Sequence, residues 1–242
     1  MNRIDIQDTW ITLLGSASLT LLIYSVAKMA GWIEVLNWAE VIGVLFNFAC
    51  VFLVARQVMS TWIFGIIAVI ALGFFFYQLQ LWGSFALHVA FFLPIQFYGW
   101  WVWSRGGSGE AGRLPVSNIN PIWPIALLFP STAFVFGLNI AFDGVSPIWD
   151  TMIFGVSVAA QILLTYKKAE HWYLWIAVNV IAIGVYSTAG APLLAIQYAL
   201  FLINAIYGVF MWREAKRVDA FWLQWNYDRD QKKQRGITIN ID

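Results

Sequence analysis

Residues 191–212, APLLAIQYALFLINAIYGVFMW, contain no Asp, Glu, Lys or Arg. About 20 apolar residues are enough for a helix to cross a hydrocarbon core roughly 30 Å thick. The stretch also carries polar groups, because Gln197 and Asn204 lie seven residues apart and therefore on one face of a helix. Polar groups aligned inside a membrane need partners or a water-filled cavity. We therefore predict a transmembrane helix whose polar face lines a buried site.

The ending of this stretch occurs once before in the chain. The motif Tyr-Gly-x-x-x-Trp occupies residues 98–103 and again residues 207–212, an offset of 109. Other identical residues recur at offsets of 109 to 111: Ala90 and Ala199, Phe92 and Phe201, Leu93 and Leu202, Trp38 and Trp149, Ile42 and Ile153, Ala49 and Ala160, Trp62 and Trp172. We interpret these matches as an internal duplication, which decides the fold before other details do.

The composition is that of an integral membrane protein. Of the 242 residues, 61% are hydrophobic and 11% are charged, whereas a soluble domain carries about 25% charged residues. The single cysteine, Cys50, excludes an internal disulfide bond. His, Cys and carboxylate residues form no cluster with metal-ligand spacing. We expect no catalytic or metal site, no cofactor, no enzymatic activity and no nucleic-acid partner, only the lipid bilayer and a solute.

Eight apolar spans can be counted, at about 10–30, 37–56, 60–79, 82–103, 121–141, 148–166, 171–188 and 190–212. They predict an all-α integral membrane fold of eight transmembrane helices, since barrel strands would alternate with a period of two. The domain boundaries that follow are an extra N-terminal helix (1–36), a first three-helix repeat (37–104), a linker and connecting helix (105–147), a second three-helix repeat (148–212) and a tail (213–242).

The connecting helix decides how the two repeats are oriented. Each repeat has an odd number of helices, so two joined directly would be inverted in the membrane. One intervening span restores the direction, and the repeats are expected to be parallel, related by an axis along the membrane normal.

Basic residues are segregated between the two sides of this topology. Thirteen of the fourteen fall on the side of the termini, and only Lys28 falls on the other. Positive charge marks the cytoplasmic side, so we expect both termini there, with Ser108 inside and Asp143 outside. The fifteen Trp residues are mostly expected in interfacial belts, and the tail is expected to form an interfacial helix, with a partner-binding tail as the alternative.

Uncharged polar and aromatic residues near mid-span are the candidate substrate-binding set. They are Asn47, His88, Gln96, Gln161, Trp175, Asn179, Tyr186, Gln197 and Asn204. The alternative for each is hydrogen bonding between helices. Glu40 and Asp150 follow the repeated Trp at the outer ends of spans, where a water-facing helix-start carboxylate is favoured over an ion site. With no charged residue in mid-membrane, coupling to a proton or sodium gradient is not expected.

The paired Tyr-Gly-x-x-x-Trp endings, the segment Trp172-x-x-Trp175-x-x-x-Asn179 and the three-one-three layout resemble the PnuC-type nicotinamide riboside transporters of bacteria. The resemblance covers about residues 37 to 215. It implies facilitated diffusion of nicotinamide riboside, an NAD precursor, across the inner membrane, with trapping by a cytoplasmic riboside kinase. It also implies a duplicated semiSWEET-like fold and a homotrimer, and it leaves the first helix outside the minimal core.

The polar set fits this solute, because Asn and Gln can bond the ribose and carboxamide and an aromatic face attracts the cationic ring. The absence of a buried Arg or Lys would disfavour the phosphorylated form. Two alternatives stay open. One is a uniporter of the same fold for another vitamin or a sugar, and the other is a non-transporting membrane scaffold or receptor whose polar residues only join helices.

Overall fold

The computed structural model describes residues 3–79, 82–120, 122–141, 147–188 and 192–234, and these form eight helices. Their bounds are α1 (Arg3–Met29), α2 (Trp38–Ala55), α3 (Ser60–Gln78), α4 (Trp82–Leu87, a π-helical turn His88–Phe92, then Leu93–Ser104), α5 (Ile122–Ala141), α6 (Pro147–Thr165), α7 (His171–Thr188) and α8 (Pro192–Gln234). A short 3-10 turn, Glu110–Gly112, lies in the linker.

The all-helical prediction is confirmed. Within the described residues the only extended pairing is an isolated bridge between Ser117 and Lys168. Five helices are long and apolar enough to cross a membrane, over Asp5–Met29, Trp38–Ala55, Ser60–Gln78, Ser84–Ser104 and Pro192–Gln231. Shorter apolar stretches cover Ile122–Leu138 and Thr151–Thr165. Each predicted span therefore corresponds to a helix. The described residues of α5, α6 and α7 are, however, too short or too polar to count as membrane-spanning by length and hydropathy.

Helices α2–α4, which we call the first unit, and helices α6–α8, the second unit, bond to each other reciprocally through the Trp of the repeated sequence motif. Trp103 at the end of α4 donates its indole N–H to the Thr165 carbonyl at the end of α6, at 3.2 Å. Trp212 on α8 donates in the same way to the Val54 carbonyl at the end of α2, at 3.1 Å. The donors are 109 residues apart and the acceptors 111 apart, the offsets found in the sequence. Each unit thus closes on the first helix of the other.

The glycine of the repeated motif makes room for a second Trp. A Cβ atom at Gly99 would collide with the Trp62 ring, and one at Gly208 would collide with the Trp172 ring. Only a residue without a Cβ permits this approach. The motif therefore combines close packing within a unit, through its Gly, with a hydrogen bond between units, through its Trp.

Trp62, Trp103, Trp172 and Trp212 form a buried tryptophan cluster and are therefore not among the interfacial Trp that were expected to be the majority. Their rings contact one another edge-on or tilted, with centroids 5.2 Å apart for Trp62 and Trp103, 6.3 Å for Trp103 and Trp212, and 5.9 Å for Trp172 and Trp212. Composition cannot distinguish these residues from Trp in a belt, because the glycines that admit them come from other helices.

The end of the bundle beyond this cluster carries Arg56, Arg105, Arg113, Lys167 and Lys168, and we call it the basic end. Gln57 and Lys167 follow α2 and α6, 110 residues apart, and both have positive φ, 57° and 50°. The Lys167 ammonium donates to Gln57 Oε1 at 2.8 Å and lies 4.5 Å from the centre of the Trp103 ring. Burial lowers the pKa of Lys167 to about 8, against the opposing charge of Asp219.

The described part of the tail differs from the expected interfacial helix, because α8 runs without a break from Pro192 to Gln234, 43 residues in all. No Gly or Pro occurs between Trp212 and Gln234 to end the helix. The buried Asp219 on this extension accepts the backbone N–H groups of Glu110, at 2.9 Å, and Val116, at 2.8 Å. The extension thereby fastens the linker to the basic end.

The first helix contacts the bundle at both of its ends, through the end of α2 and the start of α3 at the basic end. At the basic end Asp8 pairs with Arg56 at 2.9 Å, and the hydroxyls of Thr9 and Ser60 lie 2.7 Å apart. At the opposite end Tyr24 is buried in a cluster with residues of α2 and α8. Helix α1 is therefore packed onto the bundle along its length.

Candidate functional site

A cavity of about 540 Å³ lies between the two three-helix units. All nine residues of the predicted substrate-binding set line it: Asn47, His88, Gln96, Gln161, Trp175, Asn179, Tyr186, Gln197 and Asn204. The lining extends from Glu40, Leu79 and Ser84 at the end opposite the basic end to Trp62 and Trp172 of the tryptophan cluster. The sequence set is thus brought together, and its binding role stays a prediction.

Both units contribute polar groups to this cavity. Asn47 comes from α2 and Gln96 from α4, while Gln161 comes from α6 and Asn179 from α7. Within the described part of the chain the amides of Asn179 and Gln161 make no hydrogen bond, although both residues are more than nine-tenths buried. Both amides border the cavity with donors and acceptors that no described residue uses, so these groups are suited to a polar solute.

The side chains of Asn204 and Gln96 are partly used in contacts between helices. The Asn204 amide nitrogen donates to the Val51 carbonyl on α2 at 3.0 Å, which is the interhelical bond of the alternative interpretation. Its Oδ1 is buried and has no partner among the described residues, and the same is true of Oε1 of Gln96. A Cβ at Gly65 would lie 2.6 Å from Gln96 Oε1, so α3 leaves space for this side chain. One acceptor on each side chain is therefore unsatisfied in this conformation.

His88 begins the π-helical turn of α4. Its Nδ1 lies 2.8 Å from the Ser84 carbonyl, as expected for a ring N–H donating to it, and this leaves Nε2 as an acceptor. The Phe76 and Phe92 rings lie with centroids 4.9 and 5.3 Å from the imidazole. A π-turn is frequent at functional sites. In α4 the π-turn lies between His88 and Gln96, and both side chains line the same cavity.

Both units contribute aromatic side chains to the cavity, and the second unit carries the predicted ones. Trp175 lines the cavity one turn before Asn179, and Tyr186 stacks on Tyr198 with centroids 5.4 Å apart and planes 16° apart. Tyr198 was missed by the sequence reasoning, although it follows Gln197 directly. These rings provide flat faces beside amide groups, the combination that binds a cationic heteroaromatic ring.

Glu40 is the main departure from the expected site. It was predicted to face water, but it is half-buried in the first turn of α2 and lines the cavity. Its equivalent, Asp150, has a side chain outside the described residues. No Lys, Arg or Asp is among the described lining residues, and no described group of three His, Cys, Asp or Glu residues could hold a metal ion. The described cavity is therefore polar, aromatic and mildly acidic.

A helical, apolar bundle around a cavity that carries several polar side chains is typical of a membrane transporter for a small solute. The family model described as nicotinamide mononucleotide transporter matches residues 37–214, and the chain belongs to this family. The predicted family membership is thereby confirmed. The matched residues begin just before α2, so α1 lies outside the match.

Curated relatives are bacterial. The chain is 29% identical over 213 residues to the nicotinamide riboside transporter PnuC of Escherichia coli, covering 75% of this chain and 87% of the relative. It is 26% identical over 190 residues to the protein of that name from Neisseria mucosa, covering 73% and 72%. The crystal structure of the vitamin B3 transporter PnuC shares the fold with a TM-score of 0.69 at 20% identity, covering 90% of this chain and 94% of that one.

Proposed function

We propose that this chain carries nicotinamide riboside across the bacterial inner membrane. The observation that carries the proposal is the convergence of the nine predicted polar and aromatic residues on one cavity. The names of the bacterial relatives support the same solute. A cavity of about 540 Å³ is of the size that holds a small nucleoside.

The chemistry of the lining matches the parts of this solute. The ribose and carboxamide need hydrogen-bond donors and acceptors, and the amides of Gln161 and Asn179 have both. The pyridinium ring needs an aromatic face, and Trp175 lies one helical turn from Asn179. No cationic group is described in the lining that would pair with a phosphate, so the riboside is favoured over the mononucleotide.

Calorimetric titration of the purified protein tests the solute directly. Nicotinamide riboside is expected to bind, while thiamine, riboflavin and nicotinamide mononucleotide bind at least tenfold more weakly. Preferential binding of thiamine or of a sugar would instead support a uniporter of the same fold for another solute. Binding of none of them would support a scaffold or receptor.

We propose that both termini and the basic end face the cytoplasm. Thirteen of fourteen basic residues on one side support this orientation. Cysteine labelling is expected to modify Ser108→Cys only from the cytoplasmic side and Val35→Cys only from outside, since both sites are exposed. The native Cys50 is buried and serves as an unreactive background. External labelling of Ser108→Cys would overturn the topology.

The finer architecture is also a proposal: two parallel repeats at residues 37–104 and 148–212, joined by the 105–147 segment and flanked by an N-terminal helix and a tail. Two observations support it. The two Trp–carbonyl bonds join equivalent positions, with donors 109 and acceptors 111 residues apart, and Gln57 contacts Lys167 at a separation of 110 residues. In this arrangement the tryptophan cluster lies between the cavity and the cytoplasm. Access would then alternate by rocking one unit against the other.

We infer facilitated diffusion as the mode of transport. Glu40, the one carboxylate that the described lining contains, is near the outer end and not in mid-membrane. Counterflow of labelled riboside in vesicles is expected to persist after ionophores collapse the proton and sodium gradients. Accumulation that disappears with either gradient would reject this mode.

The resemblance to the PnuC family supports two partner proposals. The chain assembles as a homotrimer, and a cytoplasmic riboside kinase traps the imported solute by phosphorylation. Light scattering of the purified protein, corrected for detergent, is expected to give three chains per particle.

A further inference from the structure

We propose that Glu40 is the residue that selects the cationic form of the solute, and that Tyr24 of α1 positions it. The proposal rests on the nicotinamide riboside function above and assigns to that cavity an electrostatic selector at its outer end. It also assigns a role to α1, which lies outside the family match.

The backbone of Glu40 is held in place by the cap of α2. The Asn37 side chain accepts the N–H groups of Ala39, at 3.0 Å, and Glu40, at 3.4 Å. The same side chain donates to Gln78 Oε1 at the end of α3, at 2.9 Å. A carboxylate in the first turn of a helix is stabilised by the helix dipole. The backbone of Glu40 is therefore fixed where the start of α2 meets the end of α3, at the end of the bundle where the cavity begins.

The carboxylate has one specific neighbour from outside the two units. Tyr24 is 6% exposed and packs in the same cluster as Val41 and Val44 of α2, which follow Glu40 in the sequence. Its hydroxyl makes no direct hydrogen bond among the described residues, and Glu40 is the charged group close enough to affect it. This packing places the phenol near the carboxylate.

The charge of the described lining is set by Glu40. It is the one carboxylate there, and no described lining residue is Lys or Arg. Because Glu40 is half-buried, its field inside the cavity is screened less than that of a surface carboxylate. A pyridinium is attracted and a phosphate is repelled by this field. The reduced riboside keeps the ribose and carboxamide but has an uncharged dihydropyridine ring. It is therefore neither attracted nor repelled by this field.

This pair of ligands gives the test. Binding of nicotinamide riboside and of reduced nicotinamide riboside is measured by calorimetry on the wild type, Glu40→Gln, Tyr24→Phe and Glu34→Gln. Glu34 is an exposed carboxylate in the α1–α2 connection and does not line the cavity, so its substitution removes the same charge elsewhere.

Glu40→Gln is expected to weaken the cationic riboside roughly tenfold and the reduced riboside less than twofold, the order expected for two unit charges in a half-buried site. Tyr24→Phe is expected to lower the ratio of cationic to neutral riboside affinity about twofold to threefold, the size of effect expected for one neutral polar interaction. Glu34→Gln is expected to leave the ratio unchanged.

A second readout uses the unmodified protein. Raising NaCl should weaken wild-type binding of the cationic riboside and leave the reduced riboside unaffected. Equal salt dependence of the two ligands overturns the selector role even where Glu40→Gln does not fold. An unchanged ratio of cationic to neutral riboside affinity in folded Glu40→Gln also overturns the selector role. In that case the binding of nicotinamide riboside still supports the proposed function. Failure of the wild type to bind either riboside overturns the proposed function and the selector with it.

Discussion

Gly99→Ala is expected to lower the free energy of unfolding by about 1–3 kcal/mol, because a new methyl group would overlap the Trp62 ring. Trp62 is 1% exposed and packs edge-on against Trp103, so it cannot move without disturbing the cluster. Gly208→Ala should cost a similar amount through Trp172, since the two sites are 109 residues apart in the proposed repeats. Chemical unfolding in detergent, followed by circular dichroism, measures both.

Gly184→Ala is the matched control. It is a mid-helix glycine on α7 with no atom within 4 Å of a new Cβ. This substitution should be neutral or stabilising by about 0.5–1 kcal/mol. In a double-mutant cycle Gly99→Ala should cost less when Trp62 is already Leu. Equal effects of all three glycine substitutions would contradict the assigned contacts.

Asn179→Leu and Trp175→Leu are expected to weaken riboside binding in different ways. Loss of the Asn179 amide leaves a polar group of the bound solute unpaired, at about 1–3 kcal/mol, for charged and neutral nucleosides alike. Loss of the Trp175 ring removes a cation–π attraction of about 2 kcal/mol when desolvated. The affinity for the cationic riboside therefore falls more than the affinity for a neutral nucleoside. Calorimetry with both ligands on folded variants separates the two patterns.

The controls lie on the same or a neighbouring helix but away from the cavity. Trp149→Leu replaces an exposed Trp, and Thr188→Val replaces an exposed polar residue of α7 whose hydroxyl bonds to its own helix. Neither should change affinity. If Asn179→Leu and Trp175→Leu only lower stability, with affinity for both ligands unchanged, these residues join helices and the site assignment is wrong.

The charge-free runs of the chain were sufficient to predict the helices. A run without Asp, Glu, Lys or Arg can satisfy its backbone in lipid only as a helix, so α3, α7 and α8 were predicted to within a few residues at their starts. The far end of α8 was less predictable. Charged residues after Trp212 suggested a separate segment, but nothing there breaks the helix, and Asp219 secures its extension to the linker.

The candidate set could be predicted because helical periodicity identifies which residues share a face. It does not identify what packs against that face. Glu40 was expected to face water, and the structure instead places Tyr24 of α1 beside it and the cavity in front of it. The π-turn at His88–Phe92 also has no simple sequence signal, although Pro94 follows it and lacks a backbone donor.

The same limit explains the tryptophan cluster. Trp62 and Trp172 sit near span ends, where a Trp is most often interfacial. Their burial depends on Gly99 and Gly208, which lie 37 and 36 residues away in the sequence. The repeated motif was recognised as a repeat, but its role in admitting these rings required the packing of the helices.

Uptake of labelled nicotinamide riboside into vesicles that contain only the purified protein tests the central claim most directly. We expect uptake that stops when the internal and external concentrations are equal. Excess unlabelled riboside should block it, and equal excesses of thiamine and riboflavin should not. Uptake no faster than in protein-free vesicles, or equal inhibition by thiamine, would contradict the assignment of this cavity to nicotinamide riboside.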